Sequence, residues 1–327
     1  MKTIVSFALV IIKASIFYLL ITSCNKDDVN LDWHLTSHRK LFDTTDHVSL
    51  NHDVNFTFLD DTTFFLYGKN RVTNFYRTYL VWPDSIIELT DSFHVFINEI
   101  CLTEQNIFFR SNYNIYKSDR LINKLQLIIS DELESYEKMH FIDKDTGIIY
   151  KSGYSEFLIT NDGGENWSNS SLTSLERFYI FFALGDDKRI CFLTSLDKVY
   201  ISRDGGINWN FYFATDFKIS KLFFVNENEG YLVAENKVYK TKDGGATINQ
   251  IFAADFHVDK IQARNNEVYV LSSWALFYSE DDFENFRIMT LENPVPENMD
   301  RCVINFEIRD KRSYLVDNMG NVYYRDN

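Results

Sequence analysis

The feature that most constrains the fold is one short phrase that occurs three times. A Ser or Thr, one variable residue and then Asp-Gly-Gly recur, and the copies are Thr160–Trp167, Ser202–Trp209 and Thr241–Ile248. Each copy follows a short run rich in apolar residues and leads into another. Glycine adopts the left-handed backbone conformation that tight turns need, so an Asp-Gly-Gly turn between two such runs is typical of a β-hairpin. The phrase therefore predicts hairpins repeated along the chain.

The phrase belongs to a longer repeat of three or four short apolar runs separated by polar turns. The Ser or Thr that ends the third run recurs at steps of 38 to 46 residues. These positions are Thr78, Ser118, Thr160, Ser202, Thr241 and Ser279, with Arg325 in the equivalent place of the last unit. Seven such units predict an all-β fold, a seven-bladed β-propeller of four-stranded blades, because a single small sheet cannot bury both of its faces.

Closure of the ring can also be predicted. The last unit stops at residues 323–327 without a fourth run, whereas Leu31–Leu35 is similar to Ile207–Phe211, a fourth run in an earlier unit. We expect the N-terminal strand to complete the seventh blade, which would hide strand edges that otherwise invite pairing with other chains. The predicted propeller spans residues 31–327.

A family resemblance rests on the repeated phrase. Its pattern, Ser/Thr-x-Asp-x-Gly-x-x-Trp, resembles the Asp-box, or BNR repeat, of Asp-box β-propellers. The third copy has Ile248 in place of Trp, and Ser279–Phe286 is a degenerate fourth copy. The stretch Phe224–Val233 is similar to blades of the photosystem II assembly factor family, which is not enzymatic. The residues assigned to these turns are Asp162, Gly164, Trp167, Asp204, Gly206, Trp209, Asp243, Gly245 and Asp281.

The aspartates of these turns are interpreted as structural. An Asp that opens a Gly-Gly turn accepts hydrogen bonds from the backbone N–H groups of the turn itself. The resemblance implies the same, because in those families the boxes lie on the outer edge of the blades, away from the active site. Trp167 and Trp209 are expected to pack between neighbouring strands. The alternative is that Asp162, Asp204 and Asp243 are catalytic acids.

The first 30 residues predict where in the cell the protein is located. Lys2 and the apolar stretch Ile4–Leu20 precede Ile21–Cys24, which resembles the end of a bacterial lipoprotein signal. This implies removal of residues 1–23, lipidation of Cys24 and a tether over 24–30; the alternative is an uncleaved membrane helix. Lys26–Asp28 resembles the surface-export signal of Bacteroidetes lipoproteins, although it also fits an ordinary solvated tether. We therefore predict an outer-membrane, lipid-anchored protein facing outward.

Charge and composition exclude some classes of function. The net charge is −14, and removal of the signal with Lys2 and Lys13 makes it −16, which argues against nucleic acid as a partner. The cysteines Cys101, Cys191 and Cys302 lie in apolar runs and are interpreted as small buried residues. Neither they nor the seven histidines have metal-ligand spacing. No metal and no cofactor is predicted.

Two classes of function remain open. The turns between the second and third strands of the units should share one face, and Tyr113, Tyr154 and Trp274 occupy their tips. Exposed aromatic residues favour a protein or glycan partner, so we predict a non-catalytic binding module at this face, although these residues could equally cover the core. The alternative is a surface glycoside hydrolase, which needs two carboxylates about 5–10 Å apart. No catalytic residue is predicted, and the FRIM stretch at 286–289 lacks the Pro of a sialidase motif.

Overall fold

The structure, a computed structural model, describes 17 stretches of the chain. They are residues 34–35, 54–60, 62–69, 76–82, 85–89, 97–111, 113–122, 124–130, 136–151, 156–171, 180–184, 188–254, 257–272, 275–289, 303–309, 311–317 and 322–326. The predicted signal and tether, with Cys24, and also Tyr154, Trp274 and Cys302, lie outside these stretches.

The described residues form seven four-stranded antiparallel sheets, and no helix occurs among them. The first strand in the chain is β1 (His34–Leu35), and blade 1 is β2 (Val54–Phe58), β3 (Phe64–Lys69), β4 (Tyr76–Trp82) and β5 (Ser85–Glu88). Blade 2 is β6 (Glu99–Leu102), β7 (Asn106–Arg110), β8 (Asn114–Asp119) and β9 (Gln126–Ser130). Blade 3 is β10 (Tyr136–Phe141), β11 (Gly147–Lys151), β12 (Glu156–Thr160) and β13 (Ser168–Ser171).

The remaining blades follow the same order. Blade 4 is β14 (Ile180–Ala183), β15 (Cys191–Ser195), β16 (Lys198–Ser202) and β17 (Asn210–Ala214). Blade 5 is β18 (Lys221–Phe224), β19 (Gly230–Ala234), β20 (Lys237–Thr241) and β21 (Asn249–Ala253). Blade 6 is β22 (Val258–Arg264), β23 (Glu267–Ser272), β24 (Ala275–Ser279) and β25 (Arg287–Met289). Blade 7 is β26 (Val303–Glu307), β27 (Arg312–Asp317) and β28 (Val322–Asp326), completed by β1.

The N-terminal strand closes the ring. β1 pairs antiparallel with β28, with His34 opposite Tyr324 and Leu35 opposite Tyr323. Blades 1 and 7 also share an apolar cluster, in which the rings of Phe58 and Tyr314 lie 5.0 Å apart. The predicted fold, a seven-bladed β-propeller closed by the N-terminal strand, is confirmed.

Apolar side chains fill the spaces between neighbouring blades. The rings of Phe108 and Phe141 stack between blades 2 and 3 with centroids 3.5 Å apart. Phe192 and Phe224 do the same between blades 4 and 5 at 4.0 Å. All four are buried. The alternating pattern of the strands thus builds one core layer for each pair of blades, because each sheet has two apolar faces to cover.

Side chains of the innermost strands also bond to the backbone of the next blade. In β6, Glu99 Oε2 accepts a hydrogen bond from Met139 N (3.1 Å), and Cys101 Sγ accepts one from Phe141 N (3.3 Å). Cys101 was predicted to be buried like Cys191, but it is only partly buried, because it lies on the first strand of its blade, where no further strand covers it; Cys191 is fully buried as predicted. The first strands line the axis. These bonds satisfy backbone N–H groups on the inner edge of each sheet, which have no further strand to pair with.

The turns divide between two faces of the propeller. In blades 3, 4 and 5 the third turn bonds to the first turn of the same blade; for example, Gly163 N donates to Asp145 O at 2.8 Å and Gly244 N to Asn228 O at 2.9 Å. We call the face that carries the first and third turns of each blade the aspartate face. The second turns, including the one with Tyr113 between β7 and β8, lie on the opposite face.

Candidate functional site

Four third turns share one hydrogen-bond pattern, and we call them the aspartate turns. They are Thr160–Trp167, Ser202–Trp209, Thr241–Ile248 and Ser279–Phe286. In the first, Thr160 Oγ1 donates to Asp162 Oδ1 at 2.8 Å, Asn166 N donates to the same oxygen at 2.9 Å and Asn166 Nδ2 donates to Oδ2 at 2.8 Å. The hydroxyl of the leading Ser or Thr and the residue four after the aspartate hold Asp204, Asp243 and Asp281 in the same way.

These bonds determine the charge state of the aspartates. The backbone N–H of Asn166, with its side chain and the Thr160 hydroxyl, lowers the pKa of Asp162 to about 2. The pKa values of Asp204, Asp243 and Asp281 are also lowered. A carboxylate whose two oxygens are both engaged by its own turn is a poor general acid, because it holds no proton at neutral pH. We interpret these aspartates as structural.

The tryptophans of the first two aspartate turns join the turns to the core. The indole N–H of Trp167 donates to Gly164 O at 3.0 Å, and that of Trp209 donates to Gly206 O at 2.7 Å. The Trp167 ring packs edge-on against Phe141 with a centroid distance of 6.3 Å. In the third turn Ile248 packs against the cluster between blades 4 and 5.

The aspartate face carries an axial cavity of about 1270 Å³. The ends of the innermost strands of blades 4 to 7, with their first turns, surround it. Its lining combines apolar, amide and charged side chains, including Leu184, Phe223, Val225, Glu227, Gln262, Arg264, Glu307 and Arg309. Such a mixture can bind a polar chain through hydrogen bonds and apolar contacts together.

The charged groups of the axial cavity are held in place by their neighbours. Glu307 Oε2 lies 3.2 Å from Lys260 Nζ and accepts a hydrogen bond from Gln262 Nε2 at 2.8 Å. Glu227 Oε2 lies 2.6 Å from Arg203 Nη2. The guanidinium of Arg309 stands over the Phe58 ring, 4.4 Å from its centroid. Both carboxylates are therefore paired with cations.

A polar bridge joins blades 2, 3 and 4 on the aspartate face. The ammonium of Lys188, in the first turn of blade 4, donates to the carbonyl of Leu102 in blade 2. Between them, His140 Nε2 lies 2.7 Å from the carbonyl oxygen of Lys188. Burial lowers the pKa of His140, because it disfavours the charged imidazolium. The bridge ties these three blades together.

Of the three aromatic residues predicted to form a binding face, only Tyr113 lies within the described stretches. Tyr113 lies at the second turn of blade 2 and is 47% exposed. Its predicted companions, Tyr154 and Trp274, lie outside the described stretches. Leu196, which the sequence reading overlooked, is equally exposed at the second turn of blade 4. Tyr113 and Leu196 lie on the face opposite the axial cavity.

The axial cavity was not predicted from the sequence. The first turns have the composition of ordinary polar hairpin tips, yet Asn226, Glu227 and Asn228 line the cavity. One signal was present: blades 6 and 7 both place an arginine, Arg264 and Arg309, at the end of or just beyond the first strand. Alone it could not identify a cavity, which requires the arrangement of several blades.

The described part of the chain holds no group of three or more His, Cys, Asp or Glu residues that could bind a metal ion. Within the same stretches, no helix is long and apolar enough to cross a membrane.

The chain matches no protein-family model and no curated protein. It is similar to solved structures of several proteins. YCF48 bound to D1 peptide has a TM-score of 0.64 and 10% identity, with 91% of this chain and 98% of that chain covered. PorZ, described as an essential bacterial surface component of the type-IX secretion system of Porphyromonas gingivalis, has a TM-score of 0.55 and 9% identity. Coverage there is 89% of this chain but only 37% of PorZ.

Another similar structure is that of an enzyme. A catalytically inactive virginiamycin B lyase from Staphylococcus aureus with quinupristin has a TM-score of 0.60 and 8% identity, covering 86% of this chain and 97% of that chain. At identities this low the likeness is one of fold, and the same fold carries binding proteins, a secretion component and a lyase. The comparisons show that the chain is a β-propeller.

Proposed function

We propose that the chain is a non-catalytic binding module, displayed at the cell surface by a lipid on Cys24, and that the axial cavity holds its partner. The observation that carries the proposal is the axial cavity of about 1270 Å³ on the aspartate face. Pockets for small molecules are usually about 300–1000 Å³. A larger space with mixed apolar, amide and charged walls suits a segment of a polymer, either a protein or a glycan.

The pairing of the carboxylates favours binding over hydrolysis. A glycoside hydrolase needs one protonated acid beside a second carboxylate. In the axial cavity, Glu227 and Glu307 are each paired with a cation instead, Arg203 and Lys260 respectively. Structures similar in fold provide support as well, since one is bound to a peptide and another is a bacterial surface component. A lyase among them means that fold alone does not decide the question.

The site can be tested by comparing variants of the two faces. Val225 lines the axial cavity and is 42% exposed, so Val225→Arg adds bulk and charge there without disturbing the core. We expect immobilised wild-type protein to capture a partner from the native cell envelope and Val225→Arg to lose at least tenfold in affinity for the purified partner. Loss of one good anchor typically costs about 2 kcal/mol or more.

The control is Tyr113→Ala on the opposite face, which should retain the partner. If Tyr113→Ala abolishes capture while Val225→Arg does not, the binding face is the one predicted from the aromatic turn residues. Measurable turnover on a panel of glycans by wild-type protein would replace the binding module with the hydrolase.

The lipid anchor and the location at the cell surface are tested separately. We expect Cys24→Ala to release the protein from membranes, and protease added to intact cells to degrade the wild type but not a periplasmic control. Protection of the wild type in that assay would contradict surface display, whatever the outcome of the capture experiment.

A further inference from the structure

The third turn of blade 2 has the length of an aspartate turn but lacks its aspartate. Ser118 precedes β9 by eight residues, as Thr160 precedes β13. Two residues after Ser118 stands Arg120, where the aspartate turn has Asp162. Six residues after Ser118 stands Lys124, in the position from which Asn166 donates to that aspartate. Ser118 and Lys124 can therefore donate hydrogen bonds from the same positions as in the aspartate turn. The aspartate that would accept these bonds is replaced by Arg120, which is a cation.

This replacement leaves the Ser118 hydroxyl without a partner. In blade 3 the corresponding Thr160 Oγ1 accepts from Gly164 N at 2.9 Å and donates to Asp162. In blade 2 the equivalent N–H, that of Ile122, donates instead to the Asp119 carbonyl at 3.2 Å. Ser118 is 4% exposed, and its Oγ has no hydrogen-bond partner among the residues of the structure. A buried hydroxyl in this state destabilises the fold, because it has lost its hydrogen bonds to water without replacing them.

A cavity of about 340 Å³ adjoins this hydroxyl. Its lining residues are all of polar types, and two of them carry ammonium groups: Asn106, Lys117, Ser118, Asp119, Lys124 and Gln126. Lys117 Nζ lies 3.3 Å from the carbonyl oxygen of Gly163 and 5.7 Å from the centroid of the Phe108 ring, both neutral groups. Lys124 is exposed and forms no ion pair within the described stretches. The one acid, Asp119, accepts a hydrogen bond from Leu121 N of its own turn at 3.1 Å.

We propose that this cavity, which we call the blade 2 pocket, binds a carboxylate supplied from outside the chain. The carboxylate takes the place that the aspartate holds in the other turns: it accepts the Ser118 hydroxyl proton, as Asp162 accepts that of Thr160, and the Lys124 ammonium replaces the Asn166 amide as second donor. Lys117 adds a positive charge at the pocket wall. Charge-assisted bonds of this kind are roughly twice as strong as neutral ones. The proposal is independent of the axial cavity.

Two sources could supply the group: an Asp or Glu side chain of a partner polypeptide, or a free small carboxylate. The experiment uses the full mature chain and follows the backbone amide of Ser118 by NMR during titration with acetate, succinate and an acetyl-Gly-Asp-Gly-amide peptide. Acetamide and inorganic phosphate are the comparison probes. A peptide that binds more tightly than acetate and succinate assigns the source to a partner chain, and equal or tighter binding of the small acids assigns it to them.

Variants separate a built site from a general charge effect. We expect Lys124→Gln, at an exposed position, to weaken carboxylate binding about tenfold, whereas Lys237→Gln on an exposed strand position of blade 5 leaves it unchanged. Ser118→Ala should have a similar effect, with its thermal unfolding recorded to show that it is folded. Arg120→Asp supplies a carboxylate within the chain and should compete with the added one.

Three results would overturn the proposal. They are the absence of binding by any carboxylate probe, equal binding of acetamide or tighter binding of phosphate, and equal affinity in wild type and the Lys124→Gln and Ser118→Ala variants.

Discussion

The aspartate turns of blades 5 and 6 have the same hydrogen bonds but different residues at their centre. In blade 5 the two central residues are Gly244 and Gly245, with φ of 68° and 91°. In blade 6 they are Asp282 and Phe283, with φ of 57° and 67°. A residue with a side chain in this conformation costs about 1–2 kcal/mol. The turn is nevertheless closed in both blades by the same bonds between the leading hydroxyl and the aspartate.

The neighbouring blade explains the difference. A Cβ on Gly245 would lie 2.2 Å from Phe213 Cδ1, so blade 4 already fills that space. Phe252 holds the same strand position in blade 5, and the Phe283 ring packs beside it with a centroid distance of 4.4 Å. Asp282 in turn accepts from Lys240 of blade 5. The hydrogen bonds of the hydroxyl and carboxylate therefore define the turn, and glycine is required only where a neighbour occupies the space.

The largest expected effect is at Phe283. We expect Phe283→Ala to lower the free energy of unfolding by about 3–5 kcal/mol, because it empties a buried aromatic position while keeping the left-handed backbone. Phe283→Gly should lose about 1 kcal/mol less, since it also relieves the backbone. Chemical denaturation measures both. A Phe283→Gly variant as stable as the wild type would show that the Phe283 ring contributes nothing beyond its backbone cost.

The converse substitution in blade 5 should have a slightly smaller effect on the free energy of unfolding. Gly245→Ala places a methyl group against Phe213 and a side chain at positive φ, and we expect it to cost about 2–4 kcal/mol. Ala246→Gly, one residue further along the same turn, is the matched control and should cost less than about 1 kcal/mol. Equal effects of the two substitutions would contradict the role assigned to Phe213.

The third largest effect is expected for the ion pair between blades 5 and 6. Lys240 is buried, with its Nζ 2.5 Å from Asp282 Oδ1 and 2.8 Å from Glu229 Oε1. Burial opposes its charge, but the bonds to Asp282, Glu229 and Tyr231 outweigh burial and raise the pKa of Lys240. We expect Asp282→Ala to cost about 1–2 kcal/mol, because Glu229 still pairs with the ammonium.

A double-mutant cycle with Lys240→Met isolates this coupling between blades, and Lys242→Ala serves as the control. Lys242 is 68% exposed and also pairs with Asp282, so its removal should cost less than about 0.5 kcal/mol. If the double-mutant cycle shows no coupling energy between Asp282 and Lys240, Asp282 affects stability only through its backbone conformation.

The smallest effect is on the pH dependence of stability. Because the pKa of Asp162 in the folded chain is about 2, below its ordinary value of 3.8, its ionised form stabilises the fold above pH 4. This stabilisation should be lost as the pH falls from about 4 to about 2. We expect Asp162→Asn to be less stable than the wild type at pH 7, with the difference narrowing at pH 2 in denaturation curves. A constant difference across this range would contradict ionisation as the cause.

The repeat and its turns could be predicted because they depend on residues close together in the chain. A hydroxyl, an aspartate and two glycines within a few residues specify a hairpin turn, and the regular step between Ser118, Thr160 and Ser202 specifies the number of blades. The degenerate turn of blade 6 could be recognised for the same reason, since Ser279 and Asp281 keep the spacing. Pairing of β1 with β28 followed from the missing last strand and the similarity between two short segments.

The axial cavity, the ion pair between Lys240 and Asp282, and the blade 2 pocket were decided by the tertiary structure. The first two depend on groups of different blades, whose distances arise only when the sheets are stacked around an axis. The third depends on strands and turns of one blade, which meet only when that sheet has formed. The sequence alone determined which local structures form and how many of them there are, because local hydrogen bonds and strand periodicity act over a few residues. Packing between distant segments determined where space, charge and unsatisfied polar groups remain, and these are the features from which function is proposed.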